Sequence, residues 1–288
     1  MMEYLTYRKI KKMLEEAGIE DAGYEAEELI LRFCPDTDRA SLLFGRDEPL
    51  CSEELSVTVK KRCERYPLQY IIGSWGFCNE TYRVSPECLI PRPETEQLVE
   101  LAAKLLPPNA RFLDLCTGSG CVAVSTLAAR QDCTCIAADL YDGPLCISAQ
   151  NAKDNGVAER FCAVRCDVLK KEDAENICGQ TEFAALISNP PYIKSEDMKA
   201  LAPELSAEPR QALDGGDDGL MFYRAILDNF SGYIAADGFI LFEAGHDTAA
   251  EVARLGESAG FFARVIKDLS GLDRTVLLTR KNQETYNI

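Results

Sequence analysis

Leu113-Asp-Leu-Cys-Thr-Gly-Ser-Gly-Cys-Val-Ala-Val124 decides the fold of this chain. Its apolar opening reads as the end of a buried strand, Gly118 and Gly120 as a tight turn, and the Cys-Val-Ala-Val ending as the start of a helix. Glycine lets a backbone approach a ligand closely, and the free N–H groups at a helix start offer donors to an anionic or carboxylate group. The passage is a nucleotide-type loop, and a strand, turn and helix in this order belong to an alternating α/β chain.

The alternation continues on both sides. Short apolar runs at Arg111 to Leu115, Cys133 to Asp139, Phe161 to Arg165, Phe183 to Ser188, Phe239 to Glu243, Ala263 to Lys267 and Thr275 to Thr279 are separated by helical patterns, which predicts a doubly wound α/β sheet. The last two runs are joined by only Ser270-Gly-Leu-Asp-Arg274, too short for a helical crossover, so they are expected to pair antiparallel. Upstream, Ile10, Met13, Leu14 and Ala17 share one helical face, and Ala26, Leu29, Ile30 and Phe33 repeat the spacing. Pro35 and Arg46-Asp-Glu-Pro-Leu50 punctuate this region, and Ser52 is placed to cap a third helix running to Tyr66-Pro67. Trp75 to Leu89 alternates around Asn79-Glu80 as a hairpin does. The expected division is a small helical domain over 1–73, a linking β-hairpin over 74–90 and the α/β domain over 91–288.

Composition narrows the possibilities. With 288 residues, 47% of them hydrophobic, the chain can bury a substantial core. Its net charge of −16 argues against broad nucleic-acid binding, which rests on neutralising phosphates with Lys and Arg. The 13 cysteines form no Cys-x-x-Cys pair, and many lie in apolar strand-like runs, so they read as reduced core residues of a cytosolic protein. With His246 as the one histidine, no mixed Cys/His zinc site is expected, and the metal assignment is none. Met1 to Lys12 lacks an apolar signal core and no apolar stretch is long enough to span a membrane, so a cytoplasmic location without membrane attachment is expected.

Two further features carry chemistry. Asp139 ends the strand after the glycine loop, where a carboxylate can accept hydrogen bonds from both ribose hydroxyls of a nucleoside; a solvated strand-end acid is the plainer alternative. Because Gly118 to Ala123 also satisfies Gly-x-Gly-x-x-Ala, glycine spacing alone does not reject a dinucleotide-binding oxidoreductase. Asp114 favours another ligand: an acid inside the motif repels a pyrophosphate but can pair, directly or through water, with the ammonium of a methionine moiety, as in S-adenosylmethionine. Asp167 and Val168, after the third strand, are placed to accept from the adenine amine and to pack on its ring, or else to serve as a helix cap and its neighbour. The second feature is Asn189-Pro-Pro-Tyr192, closing the apolar run Phe183 to Ser188. Two prolines fix φ and remove two N–H groups, leaving carbonyls free as acceptors. Such a rigid acceptor suits methyl transfer to a planar amide or amino nitrogen, although a tight turn after a buried strand has the same outline.

Tyr66-Pro-Leu-Gln-Tyr-Ile-Ile-Gly73, Leu89-Ile-Pro-Arg-Pro-Glu-Thr-Glu96, Glu208-Pro-Arg-Gln-Ala-Leu-Asp-Gly-Gly216 and Asp273-Arg-Thr-Val276 accompany these motifs. In order and spacing the set resembles the PrmC/HemK family, methyltransferases acting on the glutamine of peptide chain release factors, over nearly the whole chain. The resemblance implies a class I S-adenosylmethionine-dependent fold, Rossmann-like, with a seven-stranded mostly parallel sheet, an antiparallel last strand and a small N-terminal helical domain for substrate recognition. It places Cys116, Thr117, Gly118, Ser119, Gly120, Asp139, Val168 and Asn189 around S-adenosylmethionine, joining Asp114 and Asp167 from the reading above. It places Asn189, Pro190, Pro191 and Tyr192 around the substrate glutamine, in the GGQ motif of class I release factors.

Of these, Asn189, Pro190 and Tyr192 are the catalytic candidates. The Asn189 side-chain oxygen and the Pro190 carbonyl accept the two amide hydrogens, Tyr192 packs on the flat carboxamide, and no general base is assigned. Two positions depart from the family pattern: Cys116 stands where glycine is common and is expected to fit by keeping ordinary dihedrals, and Val168 stands where relatives can carry a larger aromatic. Arg92 and Glu94, in a Pro-rich turn before an amphipathic helix, either cap the cofactor cleft or contact the substrate; Glu208 and Arg210 are read mainly as ordering the loop after Asn-Pro-Pro-Tyr, with facing the substrate protein as the alternative; His246 is read as a helix-start residue outside the site. Glutamine methylation of a ribosomal protein would use every one of the same catalytic residues. Amino-group methylation of adenine in DNA would need a basic groove, which a charge of −16 disfavours, and a non-catalytic cofactor-binding module would leave the acceptor turn unexplained.

Overall fold

The computed structural model describes residues 4–44, 47–50 and 52–281; Met1 to Glu3 and Arg46, which figured in the sequence reading, lie outside the described residues. The chain folds as two compact units, Met1–Ser74 together with Ala202–Ala207, and Trp75–Leu201 together with Glu208–Ile288.

The first unit is helical. Helix α1 (Tyr7–Glu16) begins where the Thr6 hydroxyl accepts from the Lys9 amide at 3.3 Å, and it buries Tyr7, Ile10 and Leu14. Helix α2 (Ala22–Phe33) buries Ala26, Leu29 and Ile30 of the expected stripe together with Ala22, while Phe33 at its end stays half-buried. A short helix α3 (Arg39–Phe44) follows, so the helix capped by Ser52, α4 (Glu53–Cys63), is the fourth and not the third. The Ser52 hydroxyl accepts from Leu55 N–H at 3.1 Å, as its position suggested. The helix also stops short of Tyr66. Arg65 takes a left-handed φ of 67°, and the Tyr66 amide reaches back to the Lys61 carbonyl at 3.2 Å while the Arg65 amide reaches Arg62 at 2.9 Å. These two bonds form a Schellman closure that satisfies carbonyls a continued helix would have used. Helix α5 (Leu68–Ile72) then ends on Gly73 at φ 78°. Glu204, from the remote segment that joins this unit, accepts from Arg62 and Arg65 at 3.1 Å each, and Arg62 also donates to Glu25 at 3.0 Å. A buried arginine is tolerated where carboxylates meet it in this way.

The second unit opens on the expected hairpin, β1 (Ser74–Phe77) and β2 (Glu80–Arg83), followed by α6 (Glu96–Leu105). Strands and helices then alternate: β3 (Arg111–Leu115), α7 (Cys121–Ala129), β4 (Thr134–Asp139), α8 (Asp142–Asp154), β5 (Phe161–Arg165), α9 (Lys171–Cys178), β6 (Phe183–Ser188), α10 (Met221–Phe230), β7 (Ile234–Glu243), α11 (Ala249–Ser258), β8 (Phe262–Lys267) and β9 (Asp273–Thr279). They build a seven-stranded sheet in the order β5-β4-β3-β6-β7-β9-β8, with β9 antiparallel to both its neighbours and the pairs among β3 to β7 parallel. Strand β7 starts at Ile234, ahead of the Phe239 expected from sequence, because Ile234 pairs with Phe183 across a register shift before regular pairing resumes at Phe239. Alternate residues serve opposite faces. Phe112, Ala185, Ile187, Phe239 and Leu241 pack under α6 and α7, while Leu113, Leu115, Leu186, Ile240 and Phe242 pack under α10 and α11. No helix among the described residues is long and apolar enough to cross a membrane.

Strand order reverses direction between β3 and β6, since the chain runs outward from β3 to β4 and β5 and then returns to β6 on the other side. In an open parallel sheet, the loops leaving the carboxyl ends at such a point diverge and leave a crevice for a ligand.

Candidate active site

That crevice holds a cavity of about 600 Å³. Asp114, Cys116, Thr117, Gly118 and Ser119 line it from β3 and its loop, Asp139 from β4, Asp167 and Val168 from the segment after β5, and Asn189 and Pro191 from the turn after β6. Gly120, Pro190 and Tyr192 are not among its lining residues.

The glycine loop is closed by Gly120 N–H donating to Thr117 O at 2.8 Å, with Gly118 at φ 56° and Gly120 at φ 80°. A Cβ on Gly120 would come 2.8 Å from Ser148 Cβ, so this glycine serves the turn and the close approach of α8. Cys116 departs from the expectation of ordinary dihedrals: its φ is 60°, in the left-handed region. That conformation costs a residue with a Cβ roughly 1–2 kcal/mol, which is why glycine suits the position. Burial and the nearby Asp139 charge hold the Cys116 thiol well above its usual pKa, so it is neutral.

Asp114 is 1% exposed and accepts from the Thr117 hydroxyl at 2.6 Å. Burial pushes its pKa up to about 7, against the opposing hydrogen bonds from Thr117 and the Ala123 amide. Asp139 accepts from Gly118 N–H at 3.0 Å and Tyr141 N–H at 3.2 Å, and burial raises its pKa despite these bonds. Asp167 is not a helix cap, because α9 begins at Lys171; its carboxylate instead accepts from Leu169 N–H at 3.1 Å and pairs with Lys170 at 3.3 Å. Val168 is buried, with its carbonyl held by the Asn229 amide at 3.0 Å. The residues fit S-adenosylmethionine: a buried acid for an ammonium, a strand-end acid for ribose hydroxyls, and an apolar wall beside a half-buried carboxylate for adenine.

The acceptor turn is held from two sides. Ile193 N–H donates to Leu213 O at 2.9 Å and Gly215 N–H to Ile193 O at 2.7 Å, a short parallel bridge that ties the turn to the Glu208–Gly216 motif. A Cβ on Gly215 would lie 2.7 Å from Tyr192 Cα, and one on Gly219 would lie 2.4 Å from Tyr192 O, so both glycines are needed for this backbone contact. Tyr192 is half-buried against the core under α10 and α11. Glu208 is buried and accepts from Ile90 N–H at 3.0 Å and from Arg92, joining two cavity-lining segments, while Arg210 pairs with Asp214 at 2.8 Å. Both pairs tie together segments of the loops around the cavity. His246 lies in the turn before α11.

Sequence reasoning missed Thr95 and Glu243. Ser188 and Phe242 are register partners on β6 and β7, so Asn189 and Glu243 leave adjacent strand ends side by side. Asn189 Nδ2 donates to Thr95 Oγ1 at 3.3 Å, and Thr95 Oγ1 donates to Glu243 Oε2 at 2.6 Å. The available signal was a carboxylate closing an otherwise apolar strand, Phe239-Ile-Leu-Phe-Glu243.

One strand end thus carries a loop fit for a nucleoside and the adjacent one a rigid hydrogen-bond acceptor, a division of labour that defines the α/β unit as a class I methyltransferase. Residues 6–73 match the PrmC N-terminal domain and residues 95–226 the methyltransferase small domain. A methyltransferase structure from Pyrococcus furiosus shares the fold at a TM-score of 0.52 and 14% identity, covering 70% of this chain and 89% of that one. The release factor glutamine methyltransferase of Geobacter sulfurreducens is 36% identical over 283 residues, covering 95% of this chain and 96% of that protein. Its counterpart in Cereibacter sphaeroides is 39% identical over 269 residues, covering 91% and 93%. The chain belongs to the release factor glutamine methyltransferase family.

Proposed function

We propose that this protein transfers the methyl group of S-adenosylmethionine to the side-chain amide nitrogen of the GGQ glutamine in class I release factors, acting in the cytoplasm, with the helical unit gripping the protein substrate. The observation that carries the reading is the placement of Asn189: it faces the cavity beside the glycine loop, its NH₂ end is turned to Thr95 and Glu243, and among the described residues no donor takes its oxygen.

A glutamine amide nitrogen is a weak nucleophile because its lone pair is delocalised into the carbonyl. Asn189 Oδ1 and the Pro190 carbonyl accept the two amide hydrogens, orient the nitrogen and favour the positive charge that develops on it. Tyr192 packs on the carboxamide and excludes water. Pro191 keeps the turn rigid, Asp114 receives the ammonium of the cofactor, Asp139 the ribose hydroxyls, and Asp167 with Val168 the adenine. When bound, S-adenosylmethionine supplies an electrophilic methyl group on a sulfonium that leaves as a neutral thioether. The N–C bond forms as the S–C bond breaks, and the extra amide proton is lost to solvent.

The test is incubation with methyl-labelled S-adenosylmethionine and, separately, release factors, ribosomal proteins and DNA, with the methyl group mapped by mass spectrometry. Label on the release-factor glutamine is the expected result. Label on DNA alone, or on a ribosomal protein in preference to release factors, would overturn it.

A further inference from the structure

Glu243 is 1% exposed, and its contacts force a direction on the site. A carboxylate only accepts hydrogen bonds, so the single hydrogen of the Thr95 hydroxyl, 2.6 Å away, must go to it. The hydroxyl then has only lone pairs to offer Asn189, which must turn its NH₂ group toward Thr95 across 3.3 Å. Asn189 Oδ1 is thereby aimed away from Thr95. An asparagine amide rotated by half a turn has the same shape, and only its hydrogen bonds decide which end faces the substrate.

We propose that Glu243, in its carboxylate form, is a positioning residue that acts directly and through Thr95 to lock the Asn189 amide in the one orientation able to accept the substrate's amide hydrogens. The inference deepens the glutamine-methylation reading and rests on it. Protonation removes the lock. A carboxylic acid at Glu243 can donate to Thr95 Oγ1 as well as accept from it, and when it donates, Thr95 donates to Asn189 and the asparagine turns its oxygen inward and its NH₂ outward. Two N–H donors of the enzyme then confront the NH₂ of the substrate.

The ionisable groups around Glu243 are Glu94 in the turn before α6, Arg274 on β9, Tyr192 after β6 and Tyr223 on α10. Tyr223 donates to the Glu243 backbone carbonyl at 2.7 Å, and Arg274 pairs with Asp268 at 3.3 Å. Burial is the largest influence and lifts the Glu243 pKa to about 7; the Thr95 hydrogen bond lowers it, Glu94 raises it, and Arg274 and Asn189 lower it. The switch therefore falls in an accessible pH range.

The experiment measures kcat with saturating S-adenosylmethionine and release factor from about pH 6 to about pH 9, where a limb in kcat reports groups of the loaded enzyme. Saturation removes the contribution of Asp114 to cofactor binding. The natural protein should lose turnover as pH falls through about 7. Glu243→Gln, which does not titrate and whose amide can present either its oxygen or its NH₂ to Thr95, should abolish the limb and lower kcat by up to about 10- to 100-fold, as loss of an orienting outer partner does at metal sites. Cofactor affinity by calorimetry should be retained. Thr95→Val should lose part of that turnover, because the direct Asn189 contact with Glu243 remains, and Thr95→Ser should recover most of what it loses. Natural turnover with an intact acid limb in folded Glu243→Gln overturns the proposal. If Glu243→Gln lacks a thermal unfolding transition, equal turnover in Thr95→Val and Thr95→Ser overturns it instead. Failure of the natural protein to label any release factor refutes the function reading separately, and the same variants are then compared on whichever substrate it labels.

Discussion

Asp114→Asn should make the cofactor-free protein more stable while crippling its use of S-adenosylmethionine. Burial raises the Asp114 pKa from 3.8 to about 7, so the folded protein holds this proton more tightly than the unfolded chain does. Below both values the group is protonated in either state and imposes no penalty. As pH rises through the interval the unfolded chain ionises first, and the cost of keeping a charge in the core grows until the folded pKa is passed. A gap of about 3 units at 1.36 kcal/mol each amounts to up to about 4 kcal/mol at pH 8, shrinking to between 1 and 2 near pH 5. Asparagine escapes this penalty at every pH. Its oxygen can keep the Ala123 amide, and its NH₂ can donate to the Thr117 hydroxyl, which turns to accept. Urea unfolding of both proteins without cofactor, near pH 8 and near pH 5, measures the difference, and calorimetry measures affinity. Loss of the charge facing the ammonium should weaken binding by about 10- to 100-fold, the equivalent of one charge-assisted hydrogen bond. A variant no more stable than the natural protein at pH 8, or a stability gap that does not shrink with falling pH, would refute the reasoning.

Asp139→Ala should weaken S-adenosylmethionine binding by about 10- to 100-fold with a smaller effect on turnover at saturating cofactor, measured by calorimetry and steady-state kinetics; unchanged affinity would remove Asp139 from the ribose. Asn189→Ala should lower single-turnover methyl transfer by about 10²- to 10³-fold, the scale of losing one preorganised partner at a reacting centre. Near-normal transfer by a stable Asn189 variant would exclude it from the chemistry. Gly219→Ala places a Cβ 2.4 Å from the Tyr192 carbonyl at a φ of 74°. It should cost about 1–3 kcal/mol in thermal unfolding and reduce kcat more than cofactor affinity, because the strain falls on the acceptor turn.

The parallel strands were legible in sequence because their cores are short apolar runs bounded by turn or helix signals, and β3, β5 and β6 have the bounds their patterns suggested. The short connection before β9 gave its antiparallel pairing for the same local reason. What sequence hid was backbone state and remote contact. The residue type at Cys116 hides its left-handed φ, and the glycine common at that place in the family was the signal that the expectation of ordinary dihedrals set aside. Helix α4 ends on a Schellman closure built with Arg65 where glycine would have been the readable signal. Gly215 and Gly219 look like ordinary loop glycines until the Tyr192 backbone is placed against them. The Thr95, Glu243 and Asn189 chain joins residues far apart in sequence, and only register between β6 and β7 brings two of them together.

The position of β9 has a consequence for how the protein is made. The strand synthesised after all the others occupies an interior place, between β7 and β8. Domains assemble from the amino terminus as the chain is translated at about 5–20 residues per second. The five parallel strands can therefore associate early, but β7 keeps an open edge and β8 has no neighbour until Asp273–Thr279 emerges and slots between them. An open edge is a template for pairing with another chain. A nascent chain stalled in this interval, or a product truncated before Thr279, should be the aggregation-prone form of this protein, and the sheet that carries Glu243 closes only with the last of its strands.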